Sequence, residues 1–128
     1  VWNGPEKNFW ITAVSAAVKK NLPLPEHAPD APGMFRCAKD GLMEELFTEA
    51  GFQHVYSDEV KGTLRCGTAE NYWLLQTEVS APFSAALHNA DQTLRERIYN
   101  DVMKRVNERY PSGNVQMEAS SKVISGKK

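Results

Sequence analysis

The sequence lacks the residue clusters that metal sites and disulfide frameworks require. Its two cysteines, Cys37 and Cys66, are too far apart for the paired spacing of a zinc site. The three histidines stand in separate segments, and no HxxxH or HExxH pattern joins them. We therefore expect two reduced, partly buried thiols, no metal site and no catalytic residue set.

An excess of one charge and long apolar runs are also missing. Lys and Arg total 15 against 16 for Asp and Glu, so no strong net field concentrates nucleic acid or an anionic membrane around the chain. There is no run of about 18 apolar residues and no charged-then-apolar leader. These absences argue against nucleic-acid and membrane partners and favour a cytoplasmic protein.

The composition that is present is typical of one folded domain. A chain of 128 residues can bury about two-thirds of the surface that it exposes when unfolded. Hydrophobic residues make up 41% and charged residues 24%, which is ordinary for a globular protein. The first residue is Val1 rather than Met, and we expect that a segment upstream of it has been removed.

The first half of the chain predicts two helices separated by a proline-rich loop. Apolar residues at steps of three and four run from Trp10 to Val18, a spacing that places them on one helix face. Four prolines then exclude regular structure through Gly33. A second helix is predicted from a cap at Asp40 to Gly51. Its predicted buried stripe consists of Leu42, Met43, Leu46, Phe47 and Ala50.

The second half predicts two strands with helices between them. Residues 53–66 read as the first strand, with Gly62 as a bulge or bend, and alternation over residues 115–125 predicts the second. Thr68 and Asp91 are predicted helix caps, and Asp91 precedes a long helix with apolar residues at steps of four. We expect an α+β fold of four to five helices and two strands. Two strands alone are marginal, which indicates part of a larger sheet.

Several short stretches are shared, in this order, with a known family. They are Val1-Trp2, PEKNFW at 5–10, residues 46–60 around EAGF at 49–52, TAENYW at 68–73 and SKVISGK at 121–127. Read together, these stretches resemble the C-terminal portion of the UbiE-like branch of class I S-adenosylmethionine-dependent methyltransferases. The match spans nearly the whole chain, although none of the stretches is diagnostic by itself.

The resemblance implies that the chain is an α+β fragment of an α/β methyltransferase fold. In that family a seven-stranded, mostly parallel sheet ends in an antiparallel pair formed by the sixth and seventh strands. Residues 53–66 would be the sixth strand, residues 115–125 the seventh, and Val1-Trp2 would follow the fifth. Residues 1–67 and 111–128 would then form the sheet part. Residues 68–110 would be a helical cap insertion over the substrate pocket.

The same resemblance implies that Trp2, Trp10, Tyr72 and Trp73 line a pocket for a small-molecule substrate. Methyl transfer by displacement depends on alignment in a dry site more than on acid-base residues. Aromatic residues at helical spacing are also typical of a packed core, so that alternative stays open for all four.

Two further groups are weaker candidates. Phe35 and Arg36, at the end of the proline-rich loop, would suit a gate, and a loop that packs on the core explains them equally well. His54, Asp58 and Glu59 would suit proton removal from a substrate, but a solvated strand face is the commoner reason for such residues.

The glycine-rich loop with which this family binds its cofactor is missing. None of the eight glycines lies two residues from another. We therefore expect no cofactor in this chain, with S-adenosylmethionine bound by a missing N-terminal half of the full-length enzyme. Two alternatives stay open: a stand-alone α+β domain that binds a small ligand, and an oligomerisation domain whose unpaired strand edges lead to a homodimer.

Overall fold

The computed structural model describes residues 1–22 and 32–128. The helices are α1 (Phe9–Asn21), α2 (Leu42–Glu49), α3 (Ala69–Val79), α4 (Ala81–His88) and α5 (Gln92–Arg109), and the strands are β1 (Gln53–Gly67) and β2 (Val115–Lys127). Within these residues the fold is a small α+β structure with five helices and a two-stranded antiparallel sheet, which confirms that part of the prediction. Most of the proline-rich loop lies outside the described residues.

β1 and β2 pair along nearly their whole length. Val60 lies opposite Ser121 and Leu64 opposite Met117, with the register shifted only near the two ends of β1. The predicted bulge at Gly62 is wrong, because Gly62 lies opposite Ala119 in the regular part of the ladder. Gly62 is not among the glycines with a positive φ, so the conformational freedom of this glycine is not used.

The start of the chain lies against β2 through an isolated β-bridge. The Lys122 N–H donates to the Val1 carbonyl at 2.7 Å and the N-terminal ammonium group of Val1 donates to the Lys122 carbonyl at 2.9 Å, while the Asn3 N–H donates to the Ser120 carbonyl at 3.0 Å. Trp2 lies opposite Ser121 in antiparallel pairing. Residues 1–3, the N-terminal segment, therefore lie along the outer edge of β2, which at this point lies between them and β1.

Helices cover both faces of the sheet, and the main core lies on one of them. There α1 and α5 pack on each other and α1 packs on β2, while α3 packs on β1. The fully buried apolar side chains come from α1, α3, α5 and the start of β2, and they include Ala17, Tyr72, Ile98, Val102 and Met117. On the opposite face α2 packs on the sheet. It is joined there by a hydrogen bond from the Ser57 hydroxyl to the Glu44 carboxylate.

Two of the predicted helix caps are confirmed and one is wrong. The Thr68 hydroxyl accepts from the Asn71 N–H at 3.1 Å, and the Asp91 carboxylate accepts from the Leu94 N–H at 2.8 Å. Asp40 does not cap α2, because its carboxylate instead accepts from the Lys122 ammonium group. That ion pair joins the turn before α2 to β2.

The predicted buried stripe of α2 is also wrong. No residue of this helix is buried, and Leu46 is 45% exposed. Paired strands lie about 5 Å apart, so two of them offer a helix a narrow surface. The predicted alternation of β2 holds only in its first half, where Val115 and Met117 are buried, whereas Val123 is 51% exposed. In the described part of the chain, no helix has the length and apolar character needed to cross a membrane.

Replacing Ile98 by alanine tests the position of the core. Ile98 has no exposed surface, and truncating a buried isoleucine leaves a cavity that costs about 2–5 kcal/mol of unfolding free energy. Val79→Ala, at a position that is 68% exposed, is the control and should change stability by less than about 0.5 kcal/mol. Urea unfolding followed by circular dichroism measures both. Equal effects of the two substitutions would contradict the assigned core.

Candidate functional site

The structure brings two of the four predicted site residues into direct ring contact. Trp2 of the N-terminal segment and Trp10 of the first turn of α1 lie with ring centroids 5.2 Å apart and ring planes inclined by 63°. This edge-to-face geometry is a favourable one for aromatic rings. Both side chains are half-buried. We call Trp2 and Trp10 the tryptophan pair.

The tryptophan pair lies beside an uncovered apolar part of the sheet. Trp2 lies opposite Ser121 of β2, which lies opposite Val60 of β1, and residues in that relation project from the same face. Tyr56 and Val123 belong to the same face further along, and Tyr56, Val60 and Val123 are each about half exposed. We call these three residues the apolar strand face. Together with Trp2 they offer an apolar ligand several exposed contacts on one face, with Ser121 and Asp58 between them.

Tyr72 lies behind Trp10 rather than at the surface. Its side chain is fully buried, and its hydroxyl donates to the Trp10 carbonyl at 2.6 Å. The Gln76 amide donates to the same carbonyl at 3.1 Å. Burial raises the pKa of the Tyr72 hydroxyl above its ordinary value, so the group stays a neutral donor. Tyr72 therefore fixes the backbone that carries Trp10, and its contact with a substrate stays a prediction.

Trp73 lies in a separate aromatic cluster among the helices. Its ring packs edge-on against Phe83 of α4 at 5.3 Å and against Tyr99 of α5 at 5.1 Å. These three rings hold α3, α4 and α5 together. Among the described residues, no ring contact joins Trp73 to the tryptophan pair. Its role in substrate binding stays a prediction.

The weaker candidates are scattered over the molecule. Phe35, half-buried, and Arg36, exposed, lie in the turn at residues 34–37 before α2. His54 is exposed at the irregular start of β1, where its φ of 50° is left-handed. Asp58 lies opposite Val123 and so shares the face of the tryptophan pair, whereas its neighbour Glu59 projects from the other face.

Sequence reasoning missed a polar cluster that joins the N-terminal segment to the sheet. The buried side chains of Asn3, Asn8 and Ser120 lie at its centre. Asn3 Nδ2 donates to Ser120 Oγ at 2.6 Å, and Ser120 Oγ donates to the Glu59 carboxylate at 2.7 Å. Lys7 Nζ reaches the same carboxylate oxygen at 2.9 Å. The one signal in the sequence was the presence of Asn8 within the PEKNFW stretch.

These contacts set the pKa of the Glu59 carboxyl group. The hydrogen bond from Ser120 and then that from Lys7 lower the pKa of this carboxyl from 4.5 to about 2. A carboxylate this acidic is a weak proton acceptor at neutral pH, where an effective general base has a pKa near 7. Glu59 therefore serves as a fixed negative charge, and the contacts do not favour the proton-removal role considered for it.

An open groove of about 760 Å³ lies on the Glu59 face of the sheet. It is lined by charges of both signs, with Lys7, Lys61 and Arg65 beside Glu6, Glu59 and Glu118. Several of these charges pair with one another, as in Lys7–Glu59 and Lys61–Glu59. Neutralised, solvated charges of this kind form a surface with little selectivity, so the tryptophan pair stays the stronger candidate site.

The chain matches no protein-family model and no curated protein. In the described part of the chain, no group of three or more His, Cys, Asp or Glu side chains is arranged to hold a metal ion. The site thus consists of aromatic and apolar walls, with hydrogen bonds that fix their backbone. Such an arrangement suits binding and orientation of a substrate.

Replacing Glu59 by glutamine should reduce the sensitivity of the fold to acid. The folded-state pKa of about 2 is below the ordinary 4.5, so ionised Glu59 stabilises the fold above pH 4.5 and that stabilisation is lost as the pH falls toward 2. Glu59→Gln should therefore lower stability at neutral pH and flatten its decline between these two pH values. Urea unfolding at a series of pH values measures this. Glu78→Gln, at an exposed acid of α3, is the matched control, and an identical pH profile for the two variants would contradict the assignment.

Proposed function

We propose that this chain is the C-terminal, substrate-side portion of a class I S-adenosylmethionine-dependent methyltransferase that acts on a small molecule. The observation that carries the proposal is the sheet margin, in which β1 and β2 pair antiparallel while residues 1–3 lie along the outer edge of β2. The resemblance to the UbiE-like branch requires an antiparallel last pair of strands. It also requires residues 1–3 to follow the fifth strand of the family's sheet and therefore to lie next to β2.

The charges on the two strands support the same proposal. β1 carries four charged residues at Asp58, Glu59, Lys61 and Arg65, which is typical of a strand that ends a sheet and resists further pairing. β2 carries three, at Glu118, Lys122 and Lys127, and none of them lies within residues 123–126. In the described part of the chain, no backbone hydrogen bond joins this stretch to a segment other than β1. Residues 123–126 of β2 thus offer an uncharged edge with room for a neighbouring strand.

The uncovered apolar residues also support a wider sheet. Leu46 of α2 and the apolar strand face are each about half exposed, and covering apolar surface stabilises a fold by roughly 25 cal/mol per Å². Further strands beside β2 would widen the surface under α2. In this proposal residues 1–67 and 111–128 belong to that sheet. Residues 68–110, with α3, α4 and α5, form a helical cap insertion.

The part played by this chain is substrate orientation. The tryptophan pair and the apolar strand face form a half-exposed, largely apolar wall, and such a wall would favour displacement chemistry by fixing the approach of the substrate and, once covered, by excluding water. The residues of this chain do not fit the cofactor, because no glycine-rich loop is present. The proposal therefore assigns the methyl donor to an N-terminal half, and this chain supplies no catalytic residue.

Cofactor binding tests the proposal directly. Calorimetry with S-adenosylmethionine should show no micromolar binding to the 128-residue chain, because the glycine-rich loop with which the family binds its cofactor is absent. A longer protein, which also contains the residues encoded upstream of Val1, should bind S-adenosylmethionine. It should also transfer labelled methyl groups from this cofactor to a small molecule in a cell extract. Micromolar binding by the 128-residue chain, or failure of the longer protein to bind, would contradict the proposal.

Substitutions in the longer protein test the role of the wall. Trp2→Ala should lower kcat/KM for the methyl acceptor by about ten-fold or more, since it removes a large apolar contact. Leu74→Ala, at an exposed position on α3, is the control and should leave kcat/KM unchanged. If both variants keep full activity, the tryptophan pair is not part of the substrate site.

One alternative, an oligomerisation domain, is favoured by a specific observation. The uncharged outer edge of β2 at residues 123–126 is open to a strand from a second copy, which would give a homodimer. The other alternative, a stand-alone domain that binds a small ligand between its helices and two strands, stays a prediction.

Light scattering over a concentration series separates the methyltransferase and oligomerisation proposals. Pairing through the edge of β2 predicts a dimer that Val123→Lys converts to a monomer, because a lysine beside the edge opposes further pairing. Val60→Lys is the matched control, since Val60 is equally exposed but belongs to β1. A monomer at every concentration would contradict the oligomerisation alternative.

A further inference from the structure

The buried side chain of Asn8 joins three parts of the candidate site. Its Nδ2 group donates to the carbonyl oxygens of Asn3 at 3.0 Å, Gly4 at 3.2 Å and Ser120 at 3.0 Å. Its Oδ1 atom accepts from the Ser120 N–H at 3.0 Å and from the Trp10 Nε1–H at 3.2 Å. The N-terminal segment, β2 and the tryptophan pair therefore meet at one amide group.

Asn8 acts toward β2 as a short piece of strand. Its amide donates to and accepts from the same residue, Ser120, in the way that a paired backbone residue would. These two bonds pair the backbone N–H and carbonyl groups of Ser120 on the edge of β2. They do so at the point where the N-terminal segment turns away into the 3-10 turn at Pro5–Lys7. The polar groups of Asn8 are thus satisfied, although the residue has no exposed surface.

The remaining contact of Oδ1 concerns the indole of Trp10. This indole has a single polar hydrogen, and its bond to Oδ1 selects the ring orientation in which the edge of one indole faces the ring of the other. The Trp10 backbone is held separately, by Tyr72 and Gln76. Backbone and ring of the same tryptophan are therefore fixed by different elements of the fold.

We propose that Asn8 is a positioning residue, which sets the orientation of the Trp10 indole against Trp2 and so the shape of the aromatic wall. The inference deepens the proposed function and rests on it, because the wall matters only where a substrate binds there. No other residue type offers an amide donor and an amide acceptor on a side chain of this length. Aspartate lacks the donors to the three carbonyl oxygens, and alanine lacks both the donors and the acceptor.

Two spectroscopic signals of the 128-residue chain test this role. Indoles in fixed edge-to-face contact give an exciton couplet in far-ultraviolet circular dichroism, and Trp2→Phe or Trp10→Phe identifies it by abolishing it. Asn8→Ala should abolish the couplet as well. It should also speed exchange of the Trp10 Nε1–H by about five- to ten-fold, as expected for loss of one hydrogen bond.

A matched variant separates positioning from a general effect on stability. Asn71→Ala removes an amide that donates to the Cys66 backbone carbonyl and does not contact a tryptophan. It should leave the couplet and the indole exchange unchanged. A folded Asn8→Ala protein that retains both signals would overturn the proposal.

The unaltered protein provides a measurement that does not depend on the folding of a variant. The Trp10 Nε1–H should exchange several-fold more slowly than the indole of a free tryptophan peptide, and exchange at the peptide rate would overturn the proposal. None of these measurements uses S-adenosylmethionine. Failure here therefore leaves the cofactor-binding result intact, and failure of cofactor binding does not alter the indole signals.

Discussion

The pairing of β1 with β2 is the constraint on which the rest of the structure depends. The ladder provides the one surface that α1, α2 and α3 share, with α2 on one face and the other two on the opposite face. It also brings the two ends of the chain together, since Ser120, Ser121 and Lys122 accommodate residues 1–3. An isolated strand pair is marginal in water, so the helices and the ladder stabilise each other.

The helices cover only part of this sheet, which explains why several apolar side chains are exposed. The end that carries Leu64, Val115 and Met117 belongs to the core of α1 and α5. The other end, with Tyr56, Val60 and Val123, is open on the same face. A sheet extended beyond β2 would offer further surface at this end. The exposed apolar residues thus lie at the end of the sheet where the proposed methyltransferase architecture would add further strands beside β2.

The candidate site combines an apolar surface with fixed polar supports. The tryptophan pair forms the surface, while Asn8 and Tyr72 hold Trp10 from behind through bonds to its ring and its backbone. Glu59, on the other face, is held as a carboxylate by Ser120 and Lys7. The charged groups therefore stabilise the junction of the N-terminal segment with the sheet, and the aromatic groups form the surface that a substrate would meet.

The sequence by itself determined the features that depend on local pattern. Apolar spacing predicted the α5 helix with Ile98 and Val102, short polar side chains predicted the caps at Thr68 and Asp91, and alternation predicted the β2 strand. Each of these follows from interactions within a few residues of the chain, where propensity and hydrogen bonding act directly.

Tertiary structure alone decided the features that join distant segments. The ion pair of Asp40 with Lys122, the exposure of Leu46 and the regular pairing at Gly62 all depend on where the sheet lies, which local pattern does not encode. In the site, the resemblance implied one pocket lined by Trp2, Trp10, Tyr72 and Trp73. Only packing set the first two at the surface, Tyr72 behind them and Trp73 among the helices, because a side chain's neighbours are fixed by contacts far apart in the chain.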